Sequence, residues 1–564
     1  MPGRRKPVVG KAVQLGATLY VLVSGTPNLP RGVSSVTTFG DRSVSRRDVL
    51  RYGAVGVAAI AAGGVPGVSS AARKTLRRSS VTRGGTLNFA RSIAPTTLDP
   101  ANTIIAGDIY TLDKIFEPLY ITSPAGKLTP WLATGYTVSK DLKTYTFNLR
   151  QGVKFSDGKP LTPADVVFSI DRARTDKKGP LSFLDFAITS LEAKGSSQVV
   201  AHLSAPWAPF ISDISAFCNS IMPANFGGAT ESAFFQNPIG TGPFTTTGFK
   251  PNAASITLMK NPSYWQAGKP YLDAVDFKFV DDDNQRLLQI KGSQVDAIDL
   301  VPPSQVSALK SDSSLKVSLW PSWQVDLLVM NEKLPQFADR YVRRAINQAI
   351  DRNALVSAAS FGTAKPGGSF FPPSLQYYWA GTPTLAYSVS AAKATLAKSK
   401  YPNGFSTELL IDGGVQKWQT FAQIIQQQLK AIGINVKLRP LDHASFESAF
   451  QKFDYDMFID YAINDISDPD EMASFELDYH NGGSNSYWSS YNSPPVTSLV
   501  HAAQSEFNPA KRAKLYAKIQ AAVAQDAPFV PLDYPPYIYA TSTKLNGFAV
   551  NPGGAYRLEN VWLA

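Results

Sequence analysis

Hydrophobic and polar residues alternate strictly between residues 144 and 150 of this chain. Tyr145, Phe147 and Leu149 are separated by polar side chains, and this period of two is typical of a strand with one buried face. The string Thr162-Pro163-Ala164-Asp165 then offers a capping hydroxyl, a proline and an acidic third position, which together favour a helix start. Residues 136–171 are therefore predicted to run strand, turn, strand, turn, helix, with the helix beginning at Pro163.

Helical periodicity marks two further stretches. Hydrophobic residues recur at spacings of three and four in each, and the second stretch runs into an alternating strand pattern. The first set is Val342, Ala345, Ile346, Ala349 and Ile350; the second is Phe421, Ile424, Ile425, Leu429 and Ile432, with Ile434, Val436 and Leu438 following as a strand. Helix followed by strand predicts an α/β layer.

Length and charge narrow the class of protein. A chain of 564 residues with 44% hydrophobic content should form two or three domains, because single cores stop growing near about 250–300 residues. The net charge is +11, but residues 1–72 contribute +7 of it and leave +4 for the remainder. No basic stripe interleaved with aromatic residues occurs in that remainder, so we expect no nucleic-acid partner.

Residues 1–72 have the parts of an export leader. Arg46 and Arg47 precede an uncharged run from Gly53 to Val65, and the small residues Ser70-Ala71-Ala72 suit a cleavage site. The paired arginines indicate the twin-arginine route, and the run is shorter than the ~20 apolar residues of a membrane span. No cysteine lies near Ala72, so the sequence has no lipobox. We expect the protein in the periplasm or at the outer face of the cell membrane.

The sequence offers little support for catalysis. The four histidines are scattered, no H-E-x-x-H, C-x-x-C or G-x-S-x-G string occurs, and the single Cys218 is more simply a buried side chain than a nucleophile. Asp281-Asp282-Asp283 is better explained as a helix N-terminus than as a metal cluster, and Gly240-Thr241-Gly242-Pro243 as a turn rather than a phosphate loop. We expect no enzyme activity, no cofactor and no bound metal.

Several motifs of the chain carry a family resemblance. The string S-K-D-x-x-T-Y-T-F-x-L-R-x-G-V-K-F-S-D-G-x-P-L-T resembles, nearly residue for residue, bacterial extracellular solute-binding protein family 5, the peptide- and nickel-binding receptors of ABC importers. Further matching strings are Phe116-Glu117-Pro118-Leu119-Tyr120, Asn261-Pro262-Ser263-Tyr264-Trp265 and Val342–Arg352. The resemblance implies an α/β, two-lobed periplasmic-binding-protein-like fold of type II, with an extra inserted domain and a ligand cleft between the lobes.

The resemblance also implies a division of the chain and a function. Lobe I would comprise residues 84–121, 236–322 and 526–564, the inserted domain 122–235, and lobe II 323–525. The protein would be a monomer that captures an oligopeptide-like solute by closing its lobes and delivers it to an ABC permease. A receptor for a nickel chelate or an oligosaccharide is the alternative on the same fold, and an exported hydrolase is a disfavoured alternative from another class.

Asp465 is the leading candidate for a ligand-binding residue. It lies in an acidic loop after a predicted strand, Met457 to Ile459, and ligands of α/β layers bind at the C-terminal ends of strands. In peptide-binding relatives, the aspartate three positions before an Asp-Pro pair contacts the ligand's α-amino group, and here Asp465 precedes Asp468-Pro469. An enclosed ammonium needs such a partner. The alternative is that Asp465 caps a turn.

Four aromatic residues are candidates for lining the ligand groove. Aromatic faces bind peptide side chains or sugars without demanding one sequence. The candidates are Trp418 before a predicted helix, Tyr461 in the acidic loop, and Tyr487 and Trp488 in a Gly/Ser/Asn-rich loop. For the two tryptophans and Tyr487, a core position is an equally open interpretation.

Overall fold

The computed structural model describes residues 81–176, 178–480 and 486–564, except the side chains of Ser486 and Tyr487. The export leader predicted for residues 1–72 lies outside the described residues. The described strands, in chain order, are Thr86–Arg91 (β1), Tyr120–Thr122 (β2), Leu128–Pro130 (β3), Ala133–Val138 (β4), Thr144–Leu149 (β5), Ile188–Lys194 (β6), Gln198–Leu203 (β7), Phe244–Thr245 (β8), Ser255–Lys260 (β9), Ala274–Phe279 (β10), Ala297–Ile298 (β11), Leu315–Trp320 (β12), Val325–Met330 (β13), Lys365–Pro366 (β14), Ser406–Asp412 (β15), Asn435–Leu441 (β16), Met457–Ala462 (β17), Phe529–Tyr534 (β18), Tyr537–Ser542 (β19), Leu545–Asn546 (β20) and Trp562–Leu563 (β21).

The α-helices pack on these strands. They are Ala106–Leu112 (α1), Pro163–Thr175 (α2), Phe210–Asp213 (α3), Glu231–Gln236 (α4), Asp283–Lys291 (α5), Val306–Lys310 (α6), Pro335–Ala338 (α7), Arg340–Ala349 (α8), Arg352–Ala359 (α9), Val389–Leu396 (α10), Gln416–Lys430 (α11), His443–Gln451 (α12), Asp470–Leu477 (α13), Pro494–Gln504 (α14) and Pro509–Asp526 (α15).

Three sheets organise the fold. A seven-stranded sheet, in the order β12-β19-β11-β1-β10-β9-β8, is the centre of what we call the first lobe. A six-stranded sheet, in the order β14-β18-β13-β17-β15-β16, is the centre of the second lobe. The small sheet has the order β4-β5-β7-β6 and packs against α2. The two large sheets, each with parallel and antiparallel pairs, confirm the predicted α/β, two-lobed fold.

The sequence prediction placed residues 526–564 in lobe I, and strand β18 corrects that boundary. Phe529–Tyr534 pairs with β13 in the second sheet. The reason is its burial on both faces: Phe529 and Tyr534 join one hydrophobic core of that sheet, while Val530 and Leu532 join the core on the other side. The chain returns to the first sheet at β19, immediately after Pro535-Pro536. The remaining domain boundaries stay predictions.

The strand at Tyr145 and the helix at Pro163 form as the pattern of residues 136–171 predicts, whereas the second strand of the predicted order is only an isolated bridge between Lys154 and Pro160. Tyr145, Phe147 and Leu149 are the buried residues of β5, and α2 begins at Pro163. Asp165 accepts the backbone N–H of Thr162 at 2.7 Å, which is half of a capping box. This unit is therefore specified by local sequence.

Other expected elements also occur. The helical stretches with periodic hydrophobic residues form α8 and α11, which pack on one face of the second sheet. Asp282 accepts the Gln285 N–H at 2.7 Å at the start of α5, so the aspartate run is a helix N-terminus. Cys218 is buried. No cluster of His, Cys, Asp or Glu in the described part of the chain could hold a metal ion.

Gly240→Ala should destabilise the protein, because a Cβ at this position would lie 1.9 Å from the Ile115 carbonyl oxygen. We expect a cost of about 1–3 kcal/mol, the usual range for forced overpacking, and a lower melting temperature. Gly135→Ala is the matched control, since a Cβ there meets nothing within 4 Å. Equal thermal unfolding of the two variants would contradict the prediction.

Candidate functional site

A cavity of about 220 Å³ lies between the lobes. In the first lobe, α1 and the segment near the C-terminus form one wall of the cavity. The segment after the small sheet forms a second wall, and the loop after β17 forms the third. The polar and charged residues of its lining include Tyr110, Asp113, Tyr461, Asp465 and Arg557. This inter-lobe cavity lies at the C-terminal end of β17, where sequence analysis placed the site.

The loop after β17 is fixed by two buried side chains. The Asn464 amide donates to the carbonyls of Ile466 and Asp468, at 2.5 and 2.8 Å, and its oxygen accepts the Met472 N–H at 3.1 Å. Glu471, in the first turn of α13, accepts the backbone N–H groups of Asp465 and Ile466. The loop conformation that presents Asp465 to the cavity is thus held by the protein itself.

Asp465 is an unusual carboxylate. Burial raises its pKa to about 6, and its side chain is hydrogen-bonded to the carboxyl group of Glu471. Burial, followed by the nearby Asp465 charge, raises the pKa of Glu471 well above its usual value. The pair consequently has a higher proton affinity than two ordinary carboxyl groups.

Three charged residues line the cavity among the described positions. Asp113 contacts Lys114 at 2.5 Å. Arg557 pairs with Glu117 at 2.7 Å and with Glu559 at 3.1 Å. Asp465 is within ion-pair distance of no Lys, Arg or His in the part of the chain described, and the charge that it presents to the cavity has no protein counterion.

The segment that follows the small sheet, which contains Ala208 and Ser212, contacts the second lobe beside the cavity. Ser212 Oγ lies 3.0 Å from Ser467 Oγ and accepts the Asp468 N–H at 3.0 Å. The Ala208 N–H donates to the Gln504 carbonyl at 2.8 Å. A hydrophobic cluster that includes Cys218 and Ile466 lies beside these hydrogen bonds. The structure therefore shows the lobes in contact around the site.

Tyr461 and Asp465 are the predicted site residues that the structure brings together at the cavity. Trp418 does not line this cavity and is only 7% exposed, and its contact with a ligand stays a prediction. It lies on the buried face of α11, its Nε1 donates to Asp326 Oδ2 at 3.2 Å, and its ring centre is 6.2 Å from that of Tyr461. Trp418 supports the cavity wall from the core.

Trp488 also lies away from this cavity, and its contact with a ligand stays a prediction. It is 6% exposed and belongs to the core of the second lobe, where it packs edge-on against Phe450 with ring centres 5.0 Å apart and against Phe475 at 6.3 Å. Its hydrophobic burial explains why it does not line the cavity. The side chain of Tyr487 lies outside the described residues, so its proposed role stays a prediction.

Sequence analysis did not identify Tyr110, Asp113, Arg557 or Glu471. Tyr110 and Arg557 are more than 400 residues apart in the chain, and no motif links them. Glu471 could have been found from the sequence, because it directly follows the Asp468-Pro469-Asp470 string. It lies in the first turn of helix α13.

A second cavity, of about 250 Å³, lies beside the C-terminal end of α8. Its Arg352 guanidinium donates to the carbonyls of Pro531 and Asn347, at 2.7 and 3.3 Å. Such contacts satisfy helix C-terminal carbonyls and favour a cation there. The Arg352 guanidinium is therefore already hydrogen-bonded to backbone carbonyls. The inter-lobe cavity is the stronger candidate site.

Known proteins resemble this chain in sequence and fold over most of its length. The glutathione-binding protein GsiB of Escherichia coli K12 is 29% identical over 476 residues, which cover 82% of this chain and 92% of that protein. The periplasmic binding protein DppA of Helicobacter pylori, in complex with the peptide STSA, is 25% identical, with a TM-score of 0.72 and coverage of 86% and 98%. AgaA of A. tumefaciens R10, in complex with agropinic acid, is 29% identical, with a TM-score of 0.71 and coverage of 85% and 99%.

The fold and its inter-lobe cavity define a two-lobed binding protein. Residues 127–486 match the family described as bacterial extracellular solute-binding proteins, family 5 Middle. This match covers more than half of the chain, and the protein belongs to that family. Within the described residues, we find no helix with the length and apolar character required to cross a membrane.

Trp418→Phe should lower stability without changing solute affinity. The substitution removes the bond to Asp326 and part of a buried ring, at a cost of about 1–3 kcal/mol, but Asp326 keeps its contact with Lys417. Tyr461→Ala is the contrasting variant, and loss of its aromatic contact should weaken binding about 2- to 12-fold. Thermal unfolding and calorimetric titration separate the two effects. An equal loss of affinity in both variants would indicate that Trp418 contacts the ligand.

Proposed function

We propose that this protein is the substrate-binding component of an ABC importer and that its solute is a short peptide or peptide-like compound with a free amino group. The observation that carries the proposal is the Asp465 carboxylate, which faces the inter-lobe cavity without a described cationic partner. A charge buried in a closed site must be compensated. A ligand ammonium provides that compensation, whereas an uncharged oligosaccharide does not.

The family relatives support an amine-bearing solute. GsiB is a glutathione-binding protein, and DppA of H. pylori was solved with a peptide; glutathione and peptides both carry an α-amino group. AgaA was solved with agropinic acid, which is not a peptide, so the fold accepts other small solutes. The volume of about 220 Å³ is modest beside ligand pockets of about 300–1,000 Å³, which favours a di- or tripeptide over a long chain.

The proposal includes a cellular setting. The family is one of extracellular solute-binding proteins, and the leader in residues 1–72 supports export by the twin-arginine route. The mature protein would act as a monomer that delivers its solute to a membrane permease. Because the leader lacks a lipobox cysteine, the protein would not be anchored by lipid at that position.

Asp465→Asn should weaken binding of a free-amine peptide by about 30- to 5,000-fold. The substitution keeps the shape but removes the charge, and loss of one partner of a buried charge pair costs about 2–5 kcal/mol. Reduced glutathione and the tetrapeptide Ser-Thr-Ser-Ala are the probes, measured by calorimetric titration.

N-acetylation of the same probes provides the control for Asp465. Acetylation should weaken binding to the native protein but change little in Asp465→Asn, and the four combinations give the coupling energy between the carboxylate and the amine. Equal affinity of the native protein and Asp465→Asn for both free-amine probes would refute the amine-binding function.

Export should depend on Arg46 and Arg47. Replacing both with Lys keeps the charge but removes the arginine pair that the twin-arginine signal requires, so we expect the precursor to remain in the cytoplasm. Cell fractionation of the two forms measures this. Undiminished export of the Lys–Lys variant would indicate another route.

A further inference from the structure

Glu471 lies directly behind the residue assigned to the ligand amine. Its Oε2 atom accepts the backbone N–H of Asp465 at 2.7 Å and that of Ile466 at 3.2 Å, and its carboxyl group is hydrogen-bonded to the Asp465 side chain. Glu471 is 6% exposed and does not itself line the cavity. Because two ionised carboxylates repel each other, a proton between them stabilises this contact as long as no cation is near.

The described groups that act most strongly on the carboxyl pair are acidic or neutral, and the two nearby arginines are paired elsewhere. Arg557, on the same cavity wall, pairs with Glu117 and Glu559, and Arg512 pairs with Asp468. The titratable neighbours whose charges act on the pair, or feel its charge, are Glu476 of α13, Asp213 of α3, Cys218 beyond α3, Tyr110 of α1 and Tyr537 of β19. None of these described neighbours is a cation. Burial therefore keeps the proton on Glu471, whose pKa lies well above its usual value, while Asp465, with a pKa of about 6, is ionised at neutral pH.

We propose that Glu471 is a positioning residue for Asp465 whose proton is exchanged for the charge of the ligand. When a ligand ammonium enters the cavity, the O–H bond of Glu471 breaks and its proton passes to solvent. The ammonium then contacts the Asp465 carboxylate directly, and the Glu471 carboxylate lies behind Asp465. One positive charge enters and one leaves, so the exchange is electroneutral. This inference rests on the proposed binding of an amine by Asp465.

The exchange makes ligand affinity depend on pH. If the complex holds fewer protons than the free protein and ligand, affinity rises with pH for as long as free Glu471 remains protonated. The slope approaches tenfold per pH unit when one full proton is released. An ordinary exposed glutamate, which titrates near about 4.3, would give no such slope at neutral pH.

Glu471→Gln isolates the proton from the geometry. The glutamine oxygen can still accept the backbone N–H groups of Asp465 and Ile466, and its amide can still donate to the Asp465 carboxylate, as the protonated acid does. The variant has no proton to release. It should therefore bind a free-amine ligand as the native protein does at acidic pH, and more weakly above neutrality.

Calorimetric titration at pH 7 in two buffers of different ionisation enthalpy counts the protons released. With reduced glutathione and Ser-Thr-Ser-Ala as probes, we expect the native protein to release up to one proton more per ligand than Glu471→Gln. The protonation equilibrium of the ligand's own amine is common to both proteins and cancels in this difference. N-acetylated probes should show no difference between the two proteins.

The outcomes distinguish this inference from the function on which it rests. If Asp465→Asn loses amine affinity but the native protein and Glu471→Gln release equal numbers of protons, the proton exchange is refuted and the amine-binding function stands. If Asp465→Asn binds both free-amine probes as tightly as the native protein does, the amine-binding function is refuted and the exchange with it.

A ligand-free measurement tests the protonated state of Glu471 directly. Its raised pKa in the folded protein means that native stability falls, relative to Glu471→Gln, as pH rises above the unfolded value of about 4.3. We expect Glu471→Gln to have the higher melting temperature at pH 7, and the difference to narrow towards pH 4.5. The exposed Asp281→Asn, which removes a carboxylate with no described ion pair, is the control and should show no such trend. A difference for Glu471→Gln that does not change with pH would overturn the proposal even if neither probe binds.

Discussion

The site depends on the Asp465 carboxylate, which lies at the cavity wall and has no counterion among the described residues. Neighbouring cations are already engaged: Lys114 contacts Asp113, Arg557 contacts Glu117 and Glu559, and Arg512 pairs with Asp468. Since burying an unpaired charge is costly, the charge of Asp465 is left to be neutralised by a bound ligand. An unpaired carboxylate in the cavity favours solutes that carry an ammonium group. It also disfavours neutral solutes, because they would leave the carboxylate without a counterion.

The support beneath this carboxylate is rigid, whereas the contacts across the cavity are individually weak. Asn464 and Glu471 fix the loop with hydrogen bonds to its backbone, so Asp465 does not have to be ordered when a ligand binds. By contrast, the contacts of Ser212 and Ala208 with the second lobe are neutral hydrogen bonds, worth about 0.5–1.5 kcal/mol each. A ligand ion pair can therefore decide how firmly the two sides stay together.

How much could be predicted from sequence depended on how local the determining interactions were. The strand at Tyr145 and the helix at Pro163 depend on neighbours within a few residues, and both were predicted correctly. Trp418 lies at helical spacing from Phe421, Ala422 and Ile425, which share its buried face; that spacing favoured the core, but an aromatic side chain near a loop also suited a groove. Arg557 and Tyr110 meet only through tertiary folding, and the hydrophobic residues of Phe529–Tyr534 do not indicate which sheet they join.

The order of strands in the first sheet has a consequence for how the chain acquires its fold. Strand β12 pairs with β19, and β19 also pairs with β11, so β19 lies between strands made more than 200 residues earlier. A ribosome must therefore add more than 200 residues after β12 before this sheet can be completed. Until then β12 has an unpaired edge, the kind of surface on which partly made chains aggregate, and completion of the sheet requires slow, long-range contacts.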